Sequence, residues 1–139
     1  MHWEHLDPAI ARDTLGHIFS GSAVVDTKNS AGYGENTMVA FYTSASDKNG
    51  QIQCMAYSTD NGRTYTKYEN NPILTPFDGL KDFRDPKVFW YEPDQKWVMV
   101  VSADKEMRFY SSRNLKDWEF MSGFGEGYGV QPSQFECPD

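Results

Sequence analysis

The sequence predicts an all-β fold, part of a β-propeller: about two complete blades with flanking strands. Three observations carry that expectation. Short β-branched and aromatic runs ("SAVVD", "TMVAFYTS", "IQCMAYST", "KVFWYE", "KWVMVVSA", "MRFYSS") alternate with turn-formers such as "SDKNG", "DNG", "EPDQ" and "RNLKD". No stretch offers an amphipathic helix of three turns. The order of the strands repeats.

The repeat is read element by element. "MVAFYTSA" begins at Met38 and its counterpart "WVMVVSAD" at Trp97, 59 residues later (97 − 38). "YSTDNGRTY" begins at Tyr57 and "YSSRNLKDW" at Tyr110, 53 residues later (110 − 57). The six-residue difference falls in the connecting loop, where "SDKNGQI" is longer than "DKE". Upstream of each pair stands a third element, "FSGSAVVD" at Phe19 and "FRDPKVFW" at Phe83, and "FECPD" at Phe135 begins a further copy. The opening "HWEHL" resembles the end of a unit, like "DWEF" at 117–120. A period of roughly 50–60 residues holding three to four strands is that of a propeller blade, which buries both faces only by stacking on neighbours. Closing a ring of four or more blades needs considerably more chain, so a piece of a larger protein is expected, residues 1–139 forming part of its propeller domain.

Composition narrows the partners. The chain has 139 residues, a net charge of −7 and 15% aromatic residues. It has no basic patch, which excludes the phosphate contacts that nucleic-acid binding requires. The longest apolar run, "WVMVV", falls far short of a membrane span. Cys54 and Cys137 form neither a disulfide framework nor a zinc motif, and no signal peptide is visible after Met1, so the compartment is not legible. In a strand His2 and His5 would point to opposite faces, and with His17 they complete no metal site; no metal or cofactor is expected. An acidic, aromatic-rich chain suits an uncharged partner such as a sugar.

In a propeller the first strand of each blade runs along the central channel, so polar groups at its start converge near the channel mouth. Asp before Pro commonly starts a turn, which is the plain reading of "FRDP". Aligned on their phenylalanines, however, the three first strands carry Ser20, Arg84–Asp85 and Glu136–Cys137 at equivalent places. Turns would repeat similar residues. These vary and are functional in type, so Arg84 and Asp85 are expected to face a shared pocket.

"FSGSAVVD", "FRDPKVF" and "FECPD", in that order and spacing, resemble the motifs of glycoside hydrolase family 32, the family of invertases, levanases, inulinases and related β-fructosidases. The resemblance covers essentially the whole chain and implies a five-bladed catalytic propeller acting on fructose-containing oligo- or polysaccharides. It implies that Asp85 holds fructosyl hydroxyls and stabilises the transition state, that Glu136 is the general acid/base, and that Arg84, Phe19 and Ser20 contact substrate. Arg84 is expected to keep Asp85 ionised, and burial or a nearby anion to raise the pKa of Glu136. The family's nucleophile lies in a Trp-Met-Asn-Asp-Pro-Asn-Gly type motif upstream of everything here. This chain has no such motif, so the isolated chain is expected to be inactive and to self-associate through open blade faces. The resemblance implies an extracellular or periplasmic parent, with the cytoplasm also open.

Rival readings use the same residues. "STDNGRTY" resembles the Asp-box hairpin of sialidase propellers, but a sialidase needs arginines at several blades and Arg84 alone qualifies. Five-bladed glycosidases acting on arabinose or xylose polymers share the carboxylate layout, and "FECPD" argues against them. A non-catalytic sugar-binding fragment is the remaining alternative. The choice among sucrose, inulin and levan, and between hydrolysis and fructosyl transfer, is not legible.

Overall fold

The computed structural model describes residues 2–125, 127–130 and 134–139. These residues form eight strands in two four-stranded antiparallel sheets and no α-helix. The first sheet runs in chain order through β1 (His17–Asp26), β2 (Thr37–Ser46), β3 (Gly50–Ser58) and β4 (Thr66–Lys67). The second repeats that order with β5 (Phe83–Tyr91), β6 (Lys96–Ala103), β7 (Glu106–Ser112) and β8 (Glu119–Phe124). Two successive four-stranded meanders, packed face to face, are two blades of a propeller.

Period-two alternation builds the core between them. Val39 and Phe41 on β2 and Met55 on β3 meet Met99, Val101 and Ala103 on β6, with Phe83 and Tyr110 beside them. Each large apolar side chain buried there contributes about 1.5–3 kcal/mol. The alternate residues Tyr42, Cys54 and Ala56 line the opposite face of the first sheet, where Ile10 and Leu15 cover them. Burial on both faces explains why β2 and β6 read as almost unbroken apolar runs. The first strands are adjacent, and Ser22 Oγ on β1 donates to Pro86 O (2.8 Å) and accepts from Val88 N–H (3.0 Å) on β5.

The register shifts two of the predicted alignments by one residue. Met38 pairs with Ser58 and Trp97 with Ser112, so the outer-strand offset is 54 (112 − 58), not 53. Ile18 faces Ser44 and Phe83 faces Ala103, so Phe83 is equivalent to Ile18, and Ser20 falls at the place of Asp85. Matching phenylalanines misled because the two rings lie on different faces: Phe83 is fully buried, whereas Phe19 is 44% exposed.

Four assignments differ from expectation. β4 escaped notice because it is two residues long, and β8 was marked only by "DWEF" as the end of a unit, not as a strand, because every one of its residues is exposed. "FECPD" is not a strand: Phe135 N–H donates to Asp104 O (2.7 Å), and Cys137 N–H bonds a side chain rather than a ladder partner. "HWEHL" closes no blade either, as residues 2–16 contain no strand and Trp3 and Leu6 are exposed. The hairpin after β3 is as expected: Asp60 accepts from the Thr64 backbone N–H (2.9 Å) and hydroxyl (2.7 Å), with Asn61 and Gly62 at positive φ. Asn114 plays the same part after β7, accepting from the N–H groups of Lys116 and Asp117, and Leu115 takes the positive φ.

Candidate active site

Both first strands are irregular near their starts, between Ile18 and Gly21 on β1 and between Arg84 and Lys87 on β5. A bulge inserts a residue and re-aims the side chains beside it. At Gly21 a Cβ would lie 1.9 Å from Phe41 O, so the strands approach closely enough that no larger residue fits. At Asp85 φ is 60°, the left-handed region, although a residue before proline ordinarily stays extended. A strained non-glycine residue of this kind points towards a functional position.

The bulges bring the residues singled out in the sequence to one place. Phe19 and Ser20 from β1, Arg84 and Asp85 from β5, and Glu136 and Cys137 from the last segment line a single cavity of about 400 Å³. A groove of about 1000 Å³ adjoins it at Phe19, lined among others by Asp13, His17, Asp47, Gln51 and Lys81. Among the described residues no three metal-ligating side chains converge.

The polar contacts differ from expectation in one respect. Arg84 does not pair with Asp85. Its Nη1 donates to Asp82 Oδ1 (2.5 Å) and its Nη2 to Glu136 Oε1 (2.7 Å). Burial alone would favour loss of the guanidinium charge, but these two carboxylates outweigh it and hold the Arg84 pKa up. Asp85 is 92% buried by contrast (8% exposed), and its Oδ2 accepts from Cys137 N–H at 3.0 Å. The Cys137 thiol lies 3.6 Å from the same oxygen, and the negative charge of Asp85 is the main reason its pKa is pushed up. Cys137 therefore sits against Asp85.

The pKa of Glu136 also departs from expectation. The hydrogen bond from Arg84 holds it below the ordinary carboxylate value, aided by the guanidinium charge. Its side chain is 56% exposed, so desolvation is too weak to win. Gln51, Thr43, Gln53 and Asp82, which hold Arg84 and the Phe83–Asp85 backbone, were not among the residues singled out in the sequence. The available signal was polar residues inside otherwise apolar strands, "YTS" on β2 and "QIQC" on β3.

Two successive four-stranded blades, with Arg84, Asp85 and Glu136 gathered at one cavity beside the starts of their first strands, define a fragment of a β-propeller. The sequence matches the Glycosyl hydrolases family 32 N-terminal domain over residues 1–139. It is 52% identical over 141 residues to a levanase of Bacillus subtilis (strain 168), covering 99% of this chain and 20% of that protein. It is 46% identical over 143 residues to a levanbiose-producing levanase of Geobacillus stearothermophilus, covering 100% of this chain and 35% of that protein. The solved fructofuranosidase of Schwanniomyces occidentalis complexed with fructose superposes with a TM-score of 0.85 at 39% identity, over 99% of this chain and 28% of that one. The chain thus spans about a fifth to a third of the proteins it matches, and it belongs to glycosyl hydrolase family 32.

Proposed function

We propose that this chain is part of the catalytic propeller of a β-fructosidase, whose whole polypeptide hydrolyses β-fructosyl linkages of sucrose, levan or inulin with retention. The single observation that carries this reading is the convergence of Phe19, Ser20, Arg84, Asp85 and Glu136 on one cavity. The family and the levanase and fructofuranosidase relatives support the substrate class.

Glu136 protonates the leaving oxygen while a carboxylate attacks the anomeric carbon, and Glu136 then takes a proton from water as the glycosyl–enzyme bond is hydrolysed. Asp85, held rigid and nearly buried, accepts hydrogen bonds from fructosyl hydroxyls that strengthen as positive charge builds on the sugar ring. The nucleophile comes from a segment of the polypeptide outside residues 1–139. Its negative charge beside Glu136 would oppose the pull of Arg84 and return the acid towards the protonated form that the first step needs. Phe19 offers an apolar wall to the sugar, and Ser20 a hydroxyl.

Glu136→Gln in the whole polypeptide tests the reading by fructose release from sucrose, inulin and levan. A variant as active as the wild type would overturn the role of Glu136, and an inactive wild type would overturn the activity.

A further inference from the structure

β5 carries Asp85 in a conformation its own chemistry disfavours, so something outside the strand must hold it there. The first blade supplies four side chains for this. Gln51 Oε1 accepts from Phe83 N–H (2.8 Å), and Gln53 Nε2 donates to Phe83 O (2.7 Å). Thr43 Oγ1 accepts from the N–H of Asp85 itself (3.1 Å) and donates to Gln53 Oε1 (2.7 Å). On the far side of the bulge Ser22 Oγ bonds Pro86 O and Val88 N–H. Backbone groups that β5 does not pair with a neighbouring strand are thus satisfied by side chains from β1, β2 and β3 of the other sheet.

Thr43 and Gln53 are both fully buried in strands otherwise filled with apolar residues. Buried hydroxyl and amide groups are costly unless satisfied, and these two satisfy one another and the bulge together. The Gln53 backbone also exchanges hydrogen bonds with Ile73 and Leu74, which fixes the amide's base.

We infer that Thr43 and Gln53 are positioning residues for Asp85: a buried relay from the first blade sets the Asp85 backbone, and thereby the direction of its carboxylate, for the reaction proposed above. The inference rests on that functional reading, since it assigns Asp85 to the substrate. Neither residue touches the cavity, so each acts only through Asp85.

The test uses the whole polypeptide with Thr43→Val, which keeps shape but removes both hydroxyl bonds, and Thr43→Ser, which keeps them. Three readouts are taken: kcat and KM on sucrose, the melting temperature, and hydrogen–deuterium exchange of the peptide spanning Phe83–Lys87. We expect Thr43→Val to lower kcat about 10- to 100-fold, as a small misplacement of a reacting group can. We also expect a smaller change in KM, faster exchange in that peptide, and near wild-type behaviour from Thr43→Ser. A lower melting temperature with kcat unchanged would reduce Thr43 to a structural part and overturn the inference. If the wild type releases no fructose, the functional reading fails. Exchange then still decides the relay, because unchanged exchange in Thr43→Val would overturn it.

Discussion

Arg84 Nη2 donates to Glu136 Oε1 across 2.7 Å, tying the start of β5 to a residue 52 positions later in the chain. The same guanidinium holds Asp82, so one cation balances two carboxylates at the cavity mouth.

The first prediction follows from that pair. Replacing Arg84 by Met removes the main cause of the lowered Glu136 pKa, so the pKa should rise towards its ordinary value near 4.5. For a depressed carboxylate the stabilisation is present above the unfolded-state pKa and is lost as pH falls through the folded-state value. The wild type should therefore gain stability from this contact above about pH 4.5 and lose it at lower pH, and the Arg84→Met variant should lack that dependence. A carboxyl carbon NMR titration of Glu136 in both proteins measures the shift; no difference would refute the coupling.

A second prediction concerns the thiols. Cys54 is fully buried and its pKa is pushed up to about 12 by burial, so it should resist alkylation until the protein unfolds. Cys137 is exposed, and its thiolate is disfavoured by the charge of Asp85. Asp85→Asn should accelerate iodoacetamide modification of Cys137 at pH 8 and leave Cys54 unreactive. Mass spectrometry of timed samples reads both sites.

Loop support gives a third. Asp26 is fully buried at the end of β1, where its two carboxylate oxygens accept from Ser30 N–H (2.9 Å) and Ala31 N–H (2.8 Å). Asp26→Ala leaves these donors without their partner and should destabilise the chain by about 2–4 kcal/mol. Denaturant unfolding would measure it, and a change below about 0.5 kcal/mol, typical of surface substitutions, would contradict the assignment.

Open apolar surface supports a fourth. Phe120, Met121 and Phe124 on β8 are about half exposed, with Phe77 packed edge-on against Phe120. The isolated 139-residue chain should self-associate at micromolar concentration, seen by sedimentation as species larger than 15.9 kDa. A monomer melting in one cooperative step would count against this.

How much of this was legible beforehand depended on which face each residue served. Six of the eight strands announced themselves because β-branched and aromatic residues fill strands buried on one or both faces, as Val39 and Phe41 do. The residues around the cavity could be named because "FSGS", "FRDP" and "FECP" stand out as polar and charged groups beside apolar runs, even though the phenylalanine alignment that compared them was one residue out. The one-residue slips were not legible, since matching Phe19 to Phe83 relies on residue type while the register depends on backbone pairing. The choice of Asp82 and Glu136 over Asp85 as partners of Arg84 arises from the bulge, which turns Asp85 away through a positive φ that sequence does not display. Thr43 and Gln53 looked like ordinary strand residues because their role appears only when the second blade packs against the first.

The most direct test of the central claim is fructose release by the whole polypeptide carrying Glu136→Gln or Asp85→Asn, compared with the wild type. The account predicts an active wild type and a loss of about 10²–10⁴-fold for Glu136→Gln, the usual contribution of a general acid/base, with a severe loss for Asp85→Asn. Folded variants that release fructose at the wild-type rate would contradict it.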